Sequence, residues 1–318
     1  MFSFKNRLRL FTTVVGLSAF ATTATAQGQA PVSFMTHQLK PNVYYVDGAG
    51  CNSGVIIGEK GVIVIDAKLN AAQGKQLVAD IAKITPKPIT TVIFTHSDAD
   101  HVNGVVSFPR GLTIIASENF KKEQQAAIAA GSWAAAEKGA PPPDPRAFVE
   151  PMPPLDYLPT QIMPGKKQQL TIDGVKLELL HFGPGHTSGD LVIYLPDQKI
   201  AFTGDLTSTN HPDPNIHQPK GGTSVGWMAA TQEIIGLSAD RYMPGHGELQ
   251  TIADIQKFRS AVAAKKARIK ELVAQGKSLD EVRVAVGDPP PPQLGSTRAP
   301  IWPSFTEVVY REFTKKKA

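Results

Sequence analysis

The segment Thr95-His96-Ser97-Asp98-Ala99-Asp100-His101 constrains this chain more than any other. Four potential metal ligands, His96, Asp98, Asp100 and His101, fall within six residues, directly after an apolar run at 91–94 that reads as a buried strand. A strand-to-helix turn at this point would aim all four side chains into one crevice. Three later segments share the character. Gly183-Pro184-Gly185-His186-Thr187-Ser188-Gly189-Asp190 sets a histidine in a tight glycine turn. Phe202-Thr203-Gly204-Asp205 ends a strand on a carboxylate, and Pro244-Gly245-His246-Gly247 sets another histidine between glycines. Glycine lets the backbone bend sharply and approach closely at such places. A lone turn histidine is usually a surface residue, and a strand-end aspartate is often a cap. Four such segments in one chain point instead to a shared metal site. Its donors are imidazole and carboxylate without thiolate, which suits zinc, iron or manganese.

The surrounding pattern alternates strands and helices. Residues 43–46 and 54–57 read as short strands, and 61–66 as a buried strand ending in Asp66. Helical spacing over 71–84 (Leu77, Val78, Ile81, Ile84) is stopped by Pro86. A strand at 112–116 and a helix at 118–130 follow. Nine prolines then fall between Pro141 and Pro164. A long irregular stretch inside a compact domain is either functional or a linker. With metal motifs on both sides of it, residues 131–164 are expected to lie over the site, Trp133 to Tyr157 shaping the pocket with Trp302. Asp173-Gly174 is a hairpin turn signal between 169–172 and 175–180, and 191–195 with 200–202 form a second pair. Residues 225–235 and 252–273 read as helices, the second with Thr251 and Asp254 in capping-box spacing. Gly276 ends it, and short helices are expected near 278–281 and at 305–313. Two such halves suggest two sheets packed face to face with helices outside and one ligand crevice at the strand ends.

Residues 1–26 resemble a secretory signal. Lys5, Arg7 and Arg9 precede an apolar run, Leu10 to Phe20, of 11 residues, and Ala24-Thr25-Ala26 offers a small-x-small cleavage site. That run is too short to span a bilayer. The net charge is +5, three units of which lie in this segment, so the exported chain would carry +2. Such a charge makes no electrostatic case for nucleic acid. The expected organisation is a signal over 1–26, one catalytic domain over 27–275 and a helical extension over 276–318 packed on it. The product would be periplasmic or secreted, with no membrane span. Material recovered outside the cytoplasm is expected to begin at or beside Gln27 by mass spectrometry; a full-length chain confined to the cytoplasm is the contrary result. The single cysteine, Cys51, cannot form an intrachain disulfide. It reads as a small buried apolar residue standing apart from the histidine clusters. His37, His181, His211 and His217 have no motif context and read as surface residues or supports of the ligands.

The order, spacing and turns of the four segments resemble the metallo-β-lactamase superfamily. Its hallmark is His-x-His-x-Asp-His, then Gly-His-Thr, an Asp and a final His. The resemblance spans roughly residues 40–250 and implies an α/β, four-layer αβ/βα sandwich, the metallo-β-lactamase fold. Position by position it assigns His96, Asp98 and His186 to a first metal, and Asp100, His101 and His246 to a second, with Asp205 bridging. Asp66 matches a strand-end aspartate behind the metals. One departure stands out: Asp98 occupies the place of the second histidine. Its δ oxygen lies as far from the backbone as the δ nitrogen that coordinates in the family, so Asp98 is expected to bind, adding one negative charge at the first metal.

The resemblance implies metal-assisted hydrolysis with two divalent cations, zinc foremost and iron or manganese in reserve. Water activated by the metals would attack a carbonyl of a small molecule, an ester, lactone, thioester or β-lactam, with Asp100 also orienting that water. Two other classes stay open: an iron-dependent oxidoreductase of the same fold, and a non-catalytic binding protein with a degraded site. No flavodoxin-like segment follows Gly276, which weighs against electron transfer. The sequence specifies no oligomeric state.

Overall fold

The computed structural model describes residues 34–132, 153–289 and 303–315. Residues 1–26 and Trp133, Phe148 and Trp302 lie outside the described residues. The first sheet holds seven strands in chain order: β1 (Thr36–Lys40), β2 (Val43–Val46), β3 (Ser53–Ile57), β4 (Val62–Ile65), β5 (Ile89–Ile93), β6 (Thr113–Ser117) and β7 (Gln161–Met163). The second runs β12 (Arg241–Pro244), β11 (Ile200–Gly204), β10 (Val192–Leu195), β9 (Val175–Leu180), β8 (Lys167–Ile172). The two sheets face each other across an apolar layer that includes Ile63, Ile93, Ile115, Leu179, Ile193 and Phe202. Burying each such side chain contributes roughly 1.5–3 kcal/mol.

Helices cover the outer faces and complete four layers. On the first sheet lie α1 (Ala71–Ile84), a short α2 (Ala99–Val102) and α3 (Glu118–Ala129), packed over Val64, Val92 and Ile114. On the second lie α4 (Ser224–Ile235), α5 (Ile252–Ala274), α6 (Leu279–Ala285) and α7 (Phe305–Thr314). Trp227 of α4 is fully buried there and donates its indole N–H to Leu206 O at 2.9 Å. The capping box at Thr251 and Asp254 is present at the start of α5. Val282, Val308 and Val309 join the same core, so the C-terminal helices are part of this layer.

Three strands escaped the sequence pattern. Strand β1 is a half-exposed edge of polar residues, and β12 is four residues between Arg241 and Pro244, too short to show a period. Strand β7 lies at the end of the proline-rich stretch and pairs in parallel with β6, Ile115 opposite Gln161. Tyr157, expected at the pocket, is buried instead with Phe120 and Ala127, and its hydroxyl donates to Val106 O at 3.1 Å. The end of that stretch is therefore core, not cover.

Parallel pairing decides where the chemistry sits. Strands β4 and β5 run side by side with Ile65 opposite Ile93, so Asp66 and Thr95 emerge together. Strands β11 and β12 pair Gly204 with Pro244, so Asp205 and His246 also emerge together. The β9–β10 connection carries His186 at that same end of the second sheet.

Candidate metal centre

Each ligand-bearing turn is fixed by its own neighbours. Asp66 follows β4 at a positive φ of 59°, and Lys68 repeats this at 74°. A left-handed non-glycine residue costs on the order of 1–3 kcal/mol, so the surroundings must hold it. The buried Asp66 carboxylate accepts from Thr95 N at 2.9 Å and Thr95 Oγ1 at 2.7 Å, and it lies 2.7 Å from His101 Nδ1. Lys68 is buried too, its ammonium donating to Val46 O at 2.8 Å and to Cys51 O. The His186 turn wraps a buried Asp190, whose carboxylate accepts from the N–H groups of Gly185, His186 and Thr187 at 3.2, 2.7 and 2.9 Å. Gly204 puts Asp205 into the site at φ 51°, where an added Cβ would stand 2.8 Å from Thr95. Asn52 holds the His246 turn: its backbone N–H donates to Gly245 O at 2.6 Å, and its amide to Pro244 O and Gly247 O at 3.0 Å each.

All seven predicted ligands converge, and they sort into two sets. Asp98 Oδ2 lies 3.0 Å from His186 Nε2 and 3.8 Å from His96 Nε2. His246 Nε2 lies 3.0 Å from Asp100 Oδ2 and 3.3 Å from His101 Nε2. Asp205 faces both sets, Oδ1 standing 3.3 Å from His101 and Oδ2 3.9 Å from His186. Donors bonded at about 2.0–2.2 Å to one tetrahedral cation stand roughly 3–4 Å apart, so both sets have metal-like spacing.

The ring nitrogens point the same way. His101 Nδ1 meets Asp66, and His186 Nδ1 lies 2.8 Å from Asn215 O, which leaves each Nε2 turned inward. A carboxylate or carbonyl behind the ring fixes the tautomer that coordinates a metal. His96 Nε2 is buried without a hydrogen-bond partner. An orphaned buried acceptor costs about 1–3 kcal/mol, a cost a bound cation would remove. The residues present thus fit a pair of divalent cations.

Electrostatics agrees. Burial, with His101 and His186 nearby, pushes His96 well below its usual pKa, so its imidazole is neutral. Burial opposes ionisation of Asp98 and Asp205. Even so, Lys220 and His186 hold Asp98, and His246 and His101 hold Asp205, well below the usual carboxylate range. Burial likewise opposes charge on His186, yet Asp98 and Asp205 raise it to about 10. Without metal, His186 is therefore protonated at pH 7, and a ligand must be neutral. Metal uptake at pH 7 is expected to release protons, and affinity should climb with pH toward about 10. Calorimetry in two buffers of different ionisation enthalpy reads this directly; uptake without proton release is the contrary outcome.

The centre opens on one side. Asp100 and His246 keep 30% and 18% side-chain exposure, while His96, His101 and His186 are sealed. Asp100 and His246 face a cavity of about 250 Å³, walled also by Asn210, His211 and Asp213.

The four histidines without motif context separate. His37 stacks on Tyr45 beside Asp47, and His181 meets Asp190 O at 2.8 Å. His211 is exposed at the cavity, whereas His217 is buried against Asp98, Nδ1 to Oδ1 at 2.8 Å. Cys51 is buried as expected, but it does not stand apart: it forms a potential ligand group with Asp66 and His101. Asn52 and Lys220 carried no sequence signal, and His217 was read as a surface residue or a support of the ligands. Asp190 sat inside the glycine motif without an assigned role.

The family profile described as Metallo-beta-lactamase superfamily matches residues 46–246. The chain belongs to the metallo-β-lactamase superfamily. It is 25% identical to the 2,4-dinitroanisole O-demethylase subunit alpha of Nocardioides sp. (strain JS1661), over 67% of this chain and 58% of that protein. It is 25% identical to a linear primary-alkylsulfatase of Pseudomonas sp. (strain ATCC 19151), over 61% of this chain and 41% of that one. The matched part is thus well short of those two relatives' full length. In structure it resembles the sec-alkylsulfatase Pisa1 of Pseudomonas sp., with TM-score 0.68, 20% identity, and 88% of this chain against 50% of that one. A metallo-β-lactamase from Pontibacter korlensis gives TM-score 0.56 at 19% identity, covering 73% of this chain and 99% of that one.

Proposed function

We propose that the protein is an exported hydrolase that holds two zinc ions and cleaves a small ester, lactone, thioester or β-lactam. The observation that carries this is the reach of Asp205 to both ligand sets, one oxygen toward His101 and the other toward His186. Two cations held by these donors would supply Lewis-acid activation of a water and of a carbonyl oxygen. The chain's own residues do the rest. Asp100, partly exposed at the cavity and 3.0 Å from His246, orients the attacking water and accepts its proton. The cavity, about 250 Å³ with polar walls, suits the reacting head of a small molecule. Relatives bearing the names metallo-beta-lactamase type 2, linear primary-alkylsulfatase and atrochrysone carboxyl ACP thioesterase support hydrolysis. Export is supported by the charged start, apolar run and Ala24-Thr25-Ala26 of the first 26 residues.

The test is a panel of a chromogenic β-lactam, an aryl ester, a lactone and a thioester, with an alkyl sulfate beside them. Chelator-sensitive turnover of a carbonyl substrate, restored by zinc, is the expected result. Turnover of the alkyl sulfate alone, or indifference to chelator, contradicts the proposal.

A further inference from the structure

Asp98 stands at a position where the family pattern has a neutral histidine. A carboxylate differs there in two ways: it has two equivalent oxygens and can turn either to a metal, and it brings a negative charge into a buried place. One segment, residues 215–220, deals with both. His217 Nδ1 lies 2.8 Å from Asp98 Oδ1, and the Lys220 ammonium donates to that same oxygen at 2.9 Å and to Ser97 O at 2.8 Å. That leaves Oδ2 toward His186 and His96. The segment is also registered against His186: Asn215 O lies 2.8 Å from its Nδ1, and His217 N donates to its backbone oxygen at 2.8 Å. Ser188 N in turn donates to Lys220 O at 2.8 Å. His217 and Lys220 are 2% and 12% exposed in their side chains, so solvent screens this contact little.

We propose that His217 and Lys220 are positioning residues for Asp98: they take up its Oδ1 and offset its charge, and so adapt an aspartate to a place built for a neutral ligand. The inference rests on the metal-centre reading above. Its consequence is that the effect of Lys220 on the metal depends on Asp98 being an aspartate. Next to a histidine the ammonium would keep its pull on the Glu123 carboxylate but would repel the cation.

The experiment measures zinc affinity at both sites, by competition with a chromophoric chelator, in wild type, Lys220→Met, Asp98→His and the double variant. Supporting partners of metal ligands typically govern 10–100-fold of affinity. Lys220→Met should weaken one zinc by at least tenfold and leave the other unchanged. In the Asp98→His background the same change should cost less than about threefold or strengthen binding, a non-additivity that a purely structural role does not give. If Lys220→Met does not fold by circular dichroism, Lys220→Gln is read in the same way. Equal losses in both backgrounds, or no loss in wild type, overturn the proposal. A wild-type protein that binds no zinc at all overturns the metal centre itself, and that is distinct from two zincs indifferent to Lys220.

Discussion

His246→Ala is expected to leave a folded protein whose turnover on the best substrate is lower by two decades or more. The imidazole lies 3.0 Å from Asp100, 3.3 Å from His101 and 3.5 Å from Asp205, so it closes the second ligand set. Removing it leaves three donors for a cation that needs four, and catalysis that depends on a metal pair is lost with either member. A hundredfold loss corresponds to about 3 kcal/mol in barrier. His101→Ala should match it in rate but cost more stability. His101 is fully buried, and its removal leaves the Asp66 carboxylate with its two Thr95 hydrogen bonds among the described residues. Steady-state kinetics with a melting curve separates the two variants. Wild-type turnover in a folded His246→Ala protein would remove that residue from the centre.

Gly245→Ala is expected to be nearly as damaging, although it adds one methyl group and removes no ligand. A Cβ there would stand 2.1 Å from Asp205 Oδ1 and 2.7 Å from His101 Cε1. Neither neighbour is a free chain end. Asp205 is held by Ser208 at 3.0 Å and His101 by Asp66 at 2.7 Å. Relief must come from the β12 turn, which Asn52 pins on both sides of His246. Overpacking of this kind costs roughly 1–3 kcal/mol of stability. The larger effect should be on function, because the shift separates Asp205 from His101 and His246. One metal fewer per chain and a rate loss approaching that of His246→Ala are expected. Full metal content and full rate would mean that this glycine is not needed for close approach.

Much of this was legible in the sequence where the cause is local. Helix α1 spans 71–84, the residues its spacing predicts, and Asp173-Gly174 turns β8 into β9. The candidate ligands were legible because glycine turns and strand ends advertise them. What was not legible depends on contacts distant in the chain. Asn52 supports the His246 turn from 192 residues away, and His217 reaches Asp98 across 119. Neither sits in a local pattern, so no window of sequence could reveal the pairing. Strand β12 is recognisable only once β11 is beside it. Asp98 was expected to add one negative charge at the first metal, and nothing local in the sequence shows that the Lys220 ammonium lies 2.9 Å from it. Tyr157 was misplaced because a proline-rich composition does not say which side of a sheet the chain crosses. The residues between 133 and 152, expected over the site, lie outside the described residues.

A pair of metals shared through Asp205 has a stoichiometry that elemental analysis of the purified protein reads. Two equivalents of divalent metal per chain are predicted in the wild type, falling to about one in His246→Ala and in His96→Ala. Metal-free wild-type protein after equilibration with zinc, or one equivalent unaffected by either substitution, would rule out the shared pair.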